Sequence, residues 1–427
     1  MLVNLPFVSI IIPTHNRCKS LIRLLHRLAI QTYPMELMEV IVVLDNCTDA
    51  TNEVLLTHKA PFSFRHIQGK GRGAAMSRNE GASLATGVVF LFIDDDIEPG
   101  EGMVAAHIKC HTSDQTVVIG YLPFPIQKKA SFVSIYMREW WEEKFRLMGE
   151  PGYRFGYEDL LSGNFSISSH LFIRMNGFNE LFKCREDYEL GARLIKAGAN
   201  FAYSKDAFGY HRDEVSSLQH SLERKKNEGV ADLLFSKFHP DLMPRLRIQS
   251  LRKPNSLLGK FVHLAAFNMP LICNVIEKLL RKWMEVLDKY KFRVLWQKYS
   301  WRIHLYSYLL GVAAVVKSPD NLYRLIERPT STAVLNATEM VIDLEKGIDC
   351  AEQKMDNLRP LSLEIRYGKH LIGIIPSSPG TERLRGRHLR PILAEKFYLT
   401  LFQILTVEHY FDSLWLSEND KFIGSAK

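Results

Sequence analysis

Three consecutive aspartates, Asp94, Asp95 and Asp96, follow the apolar run VVFLFI. Adjacent carboxylates repel, and burying one unpaired is costly, so such a cluster persists most easily where a cation neutralises it. Oxygen donors at a strand end suit Mg²⁺ or Mn²⁺, which take one or two carboxylates, keep water and draw further ligands from a substrate phosphate. These residues predict a metal and diphosphate site. A single Asp at a strand end is more often a cap for the next helix; three after so apolar a run favour a ligand. Lys70, Arg72 and Arg78 lie in and after GKGRGAAMSRN. Glycines there permit close approach, and arginine can pair bidentately with phosphate. The turn is neither a P-loop nor GxGxxG, and Arg78 equally suits a surface helix position. Asp45, ending VIVVLD, either accepts from a nucleobase N–H or caps the helix that follows.

These residues need strands to aim them. Residues 7–98 alternate short apolar runs with helical patterns: FVSIII, SLIRLLHRLAIQ, EVIVVLD, the turn NCTDAT, FSFRHIQ, AAMSRNEGASLA and VVFLFI. Strands alternating with crossover helices predict an α/β fold, a mostly parallel sheet with helices on both faces. Ligands sit at the carboxyl ends of such strands, where residues 14–17, 45 and 94–96 fall. From 100 to 213 the pattern is mixed. It gives a helix near 103–111, the strand TVVIGYL, an aromatic helix around SIYMREWWEEKFR, a loop SGNFSIS, the helix DYELGARLIKAG and the strand NFAYSKDAFGYH.

Three regions follow: 1–213 as the catalytic unit, 214–329 as a basic helical region, and 330–427 as a small α+β domain. In the second, Ile276, Leu279, Leu280, Trp283, Leu287 and Tyr290 recur at helical spacing, with Lys278, Arg281, Lys282 and Lys289 off that stripe. LYSYLLGVAAVV predicts another helix, and KSPDN and ERPTST read as linkers. In the third, LSLEIRYGKHLIGIIP predicts a hairpin turning at Gly368, then a helix over about 390–407.

The 427-residue chain is 46% hydrophobic and 24% charged, which excludes a disordered protein. Net charge is +8, yet residues 223–302 alone hold 17 Lys and Arg against 7 Asp and Glu. A segment so basic suits nucleic acid, anionic lipid or phosphorylated substrates. Six scattered cysteines without CxxC or zinc spacing predict reduced thiols inside a cell. The N-terminus lacks a basic n-region and a cleavage site, so no signal peptide is expected. The longest apolar tract, 257–276, is interrupted by Lys260, His263, Asn268, Pro270 and Asn274, which makes it a poor spanning helix.

The ordered series VSIIIPTHNR, VIVVLDNCTDAT, GRGAAMSRNEGASLATG, FLFIDDD, GNFSIS, NGFNE, REDYELGARLIKAG and GYH resembles the family 2 glycosyltransferases with a GT-A fold. It covers about residues 6–213, half the chain. The resemblance implies a nucleotide-sugar donor, with uridine preferred. It places Pro13, Thr14, Asn16, Arg17 and Asp45 around that donor, together with Lys70, Arg72, Arg78, Asp94 and Asp95. It implies Asp94 and Asp96 as a DxD pair, Asp94 near the ribose and Asp96 on Mn²⁺ or Mg²⁺, and His211 as a further metal ligand. Leu44 departs from the pattern, standing where many members carry an acidic residue.

Transfer from a nucleoside diphosphate needs a stabilised leaving diphosphate and an acceptor hydroxyl deprotonated as it attacks. A single displacement inverts the anomeric carbon. Acidic residues in a first helical turn are favoured by the dipole alone. The resemblance nonetheless implies Asp187 as general base and Glu186 in support or on the acceptor. Asn164 is expected on the acceptor side. Trp140 and Trp141 offer rings to a sugar, although such pairs are more often core.

The expected reaction is inverting, metal-dependent transfer to a saccharide or lipid-linked acceptor in the cytoplasm. The basic helical region, with Trp283, Trp296 and Trp301, suits either the anionic inner face of the cell membrane or packing on the catalytic unit. One alternative is a nucleotidyltransferase making nucleotide-sugars, which needs no base for a sugar hydroxyl. Another is a non-catalytic basic module for membrane or nucleic acid, which leaves the aspartates unexplained and makes nucleic acid the weaker partner.

Overall fold

A computed structural model describes residues 5–125, 130–212, 217–327 and 338–407. They form two compact units, Met1–Gly149 with Gly156–Thr330, and Glu150–Phe155 with Ser331–Lys427. The expected boundaries at 213–214 and 329–330, and most of the ERPTST stretch, lie outside the described residues.

The first unit opens with β1 (Val8–Thr14), α1 (Cys18–Leu28), β2 (Met38–Leu44), α2 (Thr51–Thr57), β3 (Ser63–Gln68), α3 (Ala74–Leu84) and β4 (Val89–Ile93). It continues through β5 (Ile97–Pro99), α4 (Met103–Cys110), β6 (Thr116–Tyr121), α5 (Phe132–Met148), β7 (Asn164–Ser168), α6 (Ser169–Arg174), α7 (Glu186–Lys196) and β8 (Asn200–His211). The eight strands form one sheet in the order β3-β2-β1-β4-β7-β6-β8-β5. Pairings β1–β2, β2–β3 and β1–β4 are parallel, as the alternating pattern requires. β1, β2 and β4 are buried along their whole length, the signature of strands covered on both faces. Amphipathic α1 turns Leu21, Leu24, Leu25 and Leu28 inward.

β7 corrects the sequence reading, which took SGNFSIS as a loop. It is a central strand, antiparallel to both β4 and β6. Phe92 stacks on Phe165 at 5.0 Å between centroids, and Phe172 and Phe178 complete the cluster at 5.0 and 5.5 Å from Phe92. This aromatic core lies directly behind the aspartates and makes the strand end rigid.

The same unit includes α8 (Leu218–Phe238), α9 (Leu257–Asn268), α10 (Pro270–Lys289), α11 (Arg293–Val316) and α12 (Pro319–Ile326). KSPDN is not a linker: Ser318 caps α12 by accepting from Asn321 N–H. α8 and α11 cross with almost no side chain between them. A Cβ on Gly311 would stand 2.1 Å from the Lys226 carbonyl oxygen, and one on Gly229 would stand 2.6 Å from that of Tyr308. Gly311→Ala must therefore push the helices apart, and urea unfolding should show a loss of about 1–3 kcal/mol, typical of overpacking. A midpoint unchanged from wild type would refute this close crossing.

The second unit holds β9 (Met340–Asp343), α13 (Ile348–Leu358), β10 (Leu363–Tyr367), β11 (His370–Ile375), α14 (Gly386–Ile392) and α15 (Tyr398–Val407). Its sheet order is β11-β10-β9. The hairpin turns at Gly368, whose φ of 54° suits glycine, and the following helix begins four residues earlier than the expected 390. Met355, Leu363, Ile365, Leu384 and Leu389 form its core.

Candidate active site

The ends of β1, β2 and β4 carry the acidic and basic residues singled out above. Asn16 adopts φ 54° just after β1, a conformation asparagine tolerates. Its Oδ1 accepts from Thr48 N at 2.7 Å and Asp49 N at 3.2 Å, tying the two strand-end loops together. Asp45 N donates to the Thr14 carbonyl at 2.8 Å, and the Asp45 carboxylate accepts from Gly73 N at 3.1 Å. Asp45 does not cap α2: Asp49 accepts from Thr51 N, at 3.2 Å. Gly71 and Gly73 take φ of 68° and 103°, conformations that favour glycine, and the turn brings the Gly73 N–H to Asp45. Lys70 and Arg72 in that turn are exposed.

The three aspartates have different sets of partners. Asp94 pairs with Arg78 at 2.6 Å, and its side chain is 34% exposed. A Cβ on Gly163 would stand 3.0 Å from Asp94 Oδ2, so glycine there leaves the carboxylate room. Asp95 is buried; Thr14 donates to it at 2.7 Å and Arg17 at 3.2 Å. Burial pushes the Asp95 carboxyl up to about 6, against the pull of Arg17 and Thr14. Asp96 pairs closely with Arg17 and lies 3.5 Å from His211 Nε2. Although burial opposes it, His211 and Arg17 hold this carboxyl below its ordinary value. Within the protein, Arg17 pairs with Asp95 and Asp96, and Arg78 pairs with Asp94.

His211 ends β8, and its backbone is paired with Ile97 of β5. The Phe124 ring stands 4.8 Å from its ring centroid. Asp96 Oδ1 is buried with no hydrogen-bond partner. An open carboxylate oxygen beside an imidazole fits a divalent ion that completes its shell with water and phosphate. No group of three His, Cys, Asp or Glu gathers to cage an ion among the described residues, so Asp96 and His211 are the protein donors the geometry offers. Asp94 faces Arg78 instead.

Arg78 joins the aspartates to the start of α7. It points inward from α3, is 2% exposed, and its guanidinium reaches Glu186 at 2.8 Å as well as Asp94. The ring of Phe178 lies 5.4 Å beneath it. Its Nε is buried without a hydrogen-bond partner. Next along α7, Asp187 accepts from Tyr188 N at 2.8 Å and Ser162 N at 3.4 Å. Burial first, and the neighbouring Glu186 charge second, push its carboxyl up to about 6.

Sequence reasoning missed the group that holds this turn. Arg185, immediately before Glu186, adopts φ 63°, which is uncommon for a residue with a side chain. It is gripped by Asp232 at 2.6 Å and Glu228 at 3.1 Å, both on α8. Tyr308 of α11 donates to Asp232 in turn.

Asn164 requires a correction. It is fully buried, donates to the Ala207 carbonyl at 2.9 Å and lies 2.9 Å from His107 Nε2. Its amide is consumed inside the sheet and meets no acceptor. Trp140 is 46% exposed, whereas Trp141 is buried and stacks on Phe145 at 5.6 Å. Trp141 also contacts Phe124, the ring beside His211, at 6.2 Å.

Strand ends presenting carboxylates, with a buried arginine behind them, form the candidate site of this α/β unit. Residues 9–173 match the model of glycosyl transferase family 2, and residues 144–220 match that of the N-terminal domain of galactosyltransferase. Over residues 9–173 the chain is thus similar to family 2 glycosyl transferases.

Among curated relatives, validoxylamine A glucosyltransferase of Streptomyces hygroscopicus subsp. jinggangensis is 28% identical over 280 residues, 57% of this chain and 63% of that protein. The chain thus spans less than two thirds of that relative. The uncharacterized glycosyltransferase YfnE of Bacillus subtilis is 23% identical over 71% of this chain and 83% of its own. The mannosyltransferase PcManGT of Pyrobaculum calidifontis, solved with GDP-Man and Mn²⁺, aligns with TM-score 0.45 and 16% identity over 74% of this chain and 88% of that one. A TarS structure from S. aureus with UDP aligns with TM-score 0.41 and 20% identity over 72% and 90%.

Proposed function

We propose that the chain transfers a sugar, with inversion, from a nucleoside diphosphate sugar to a hydroxyl of a saccharide or lipid-linked acceptor. The observation that carries this reading is the bridge Asp94–Arg78–Glu186, which ties the donor-side aspartates to the turn bearing Asp187. Asp45 accepts the N–H of the base; uracil, with its single ring donor, suits that one carboxylate. Pro13 and Thr14 form the strand end beneath the nucleotide, and Asp94 accepts from the ribose. Arg17, Lys70 and Arg72 lend positive charge to the diphosphate, and the unpartnered Arg78 Nε–H adds a buried donor. Asp96 and His211 would hold Mn²⁺ or Mg²⁺, whose charge would offset that of the leaving diphosphate.

Asp187 takes the proton of the attacking hydroxyl. Its raised pKa places it close to the optimum for a base working near neutrality. Glu186 stays anchored on Arg78 and fixes the helix start, and Trp140 offers an exposed ring to the acceptor. The scattered free thiols support a cytoplasmic site of action.

Purified protein incubated with a panel of nucleotide-sugars and either Mn²⁺ or Mg²⁺ tests this reading. One donor should be hydrolysed slowly and should raise the melting temperature. Asp96→Ala should lose at least tenfold in donor turnover while remaining folded. If Asp96→Ala matches wild type with every donor, the reading fails.

A further inference from the structure

Between Leu257 and Trp301, eighteen large apolar side chains are exposed. On α10 they line up: Ile272, Ile276, Leu279, Trp283, Val286 and Tyr290 are all exposed and recur every three or four residues. α10 is not loose. Its Cys273, Glu277, Met284 and Leu287 are buried, Glu277 pairs with Lys226 and accepts from Ser307, and Asp288 accepts from Phe132 N at 3.1 Å. The apolar stripe therefore faces away from the fold by construction. α9 extends it with Leu257, Leu258, Phe261 and Leu264, each more than half exposed. Soluble monomers rarely show a contiguous apolar patch of this extent.

Charge identifies the occupant. Lys278, Lys282 and Lys289 run along one flank of the stripe, and residues 257–302 hold nine Lys and Arg against three Asp and Glu. A second copy of the chain docked on this face would bring two basic rows together, which is unfavourable. Phosphate headgroups would meet those rows, while lysine stems lie along the apolar boundary with their ammonium groups in water. Among the described residues no single helix is long and apolar enough to cross a membrane; only α9 and α10 together pass that test, and they are bent by 118°. Such a bent pair suits lying in the interface rather than crossing it.

We propose that the outer face of α9, α10 and the start of α11 is a monotopic docking surface for an anionic lipid bilayer. The apolar stripe enters the boundary between headgroups and acyl chains, and the lysine row meets lipid phosphates. The proposed lipid-linked acceptor gives this surface a purpose, but the binding does not depend on it.

The full chain is floated with vesicles of phosphatidylcholine containing phosphatidylglycerol, and with phosphatidylcholine alone. Light scattering without vesicles and donor hydrolysis in solution are measured in parallel. Wild type should float with the anionic vesicles at least about tenfold more strongly than with the neutral ones, the preference shrinking in high salt. Ile272→Gln, Ile276→Gln and Leu279→Gln together should cut partitioning roughly 100-fold. Lys278→Glu with Lys282→Glu should abolish the anionic preference. Both variants should keep wild-type melting and solution hydrolysis.

Wild type left at the bottom of the anionic gradient, or a triple variant that floats like wild type, overturns the proposal. So does a wild-type dimer that the triple variant converts to monomer without any vesicle binding. Flotation by a chain that hydrolyses no donor would sink the functional reading and leave this surface standing.

Discussion

Asp187→Asn is expected to leave donor affinity intact and lower kcat by about 10²- to 10⁴-fold, the range for losing a general base. The amide oxygen of asparagine can still accept from Tyr188 N or Ser162 N, the two contacts of the native carboxylate, so the turn should survive. What is lost is basicity. Because burial and Glu186 raise the Asp187 carboxyl to about 6, wild-type kcat/KM should fall tenfold per pH unit below about 6, and Asp187→Asn should lack that acid limb.

Stability should move the opposite way. A carboxyl that binds its proton more tightly in the folded chain makes the fold less stable as pH rises from near 4 through about 6. Removing the charge should therefore raise, or at least preserve, the melting temperature at pH 7.5. A variant within tenfold of wild-type kcat, or one retaining the acid limb, would remove Asp187 from the mechanism.

Arg78→Ala should be the most damaging single change to the fold around the site. Asp94 and Glu186 would lose their shared cation, with Asp95, Asp96 and Asp187 close in sequence to them. Those carboxylates also hold the guanidinium proton more tightly than usual despite its burial. Removing one member of a buried ion pair typically costs about 3–5 kcal/mol. The Asp94 side chain is 34% exposed, so solvent recovers part of this and the loss should be about 3 kcal/mol, read from the urea midpoint at unchanged slope.

Arg78→Lys should restore only part of it, because an ammonium is a point charge and cannot fork between two carboxylates as the guanidinium does. Donor KM should rise in both variants. A midpoint shift equivalent to less than about 1 kcal/mol would mean that the bridge is solvated rather than structural.

The strands that aim the aspartates were legible because β1, β2 and β4 are buried on both faces and read as continuous apolar runs. β7 was not, and the reason is chemical. Its alternate residues Asn164, Ser166 and Ser168 are polar yet buried. They are satisfied by groups far along the chain: Ser166 Oγ lies 2.9 Å from His107 Nδ1 and 2.8 Å from His111 Nε2, and Ser168 donates to the Asp114 carbonyl at 2.6 Å. A polar alternation with partners 43 to 59 residues away looks like a loop. Burial keeps His107 neutral, its pKa pushed down to about 3, so no charge betrays the network either.

The candidate site divides in the same way. Asp94 to Asp96, Arg78, Asp187 and His211 could be singled out from local pattern and resemblance. The grip on Arg185 could not, since Glu228 and Asp232 lie 43 and 47 residues downstream in a region that reads only as helical and basic. The stripe on α10 was visible as a stripe, but which way it faces depended on the companion set of Cys273, Glu277 and Met284. A periodic pattern alone does not decide whether it meets protein or something else.

The second unit draws one of its pieces from far upstream. Residues Glu150–Phe155 belong to it: Glu382 N donates to the Phe155 carbonyl at 2.8 Å, Phe155 N donates to Glu382 Oε1 at 3.2 Å, and Arg154 Nε donates to the Glu382 carbonyl at 2.7 Å. During synthesis this hexapeptide emerges from the ribosome more than two hundred residues before its partners exist. The unit is thus no bead appended to a finished enzyme, and a gene truncated after position 330 would strand a segment in the middle of the catalytic half. Exchanging such a C-terminal module for another would have to carry both pieces at once.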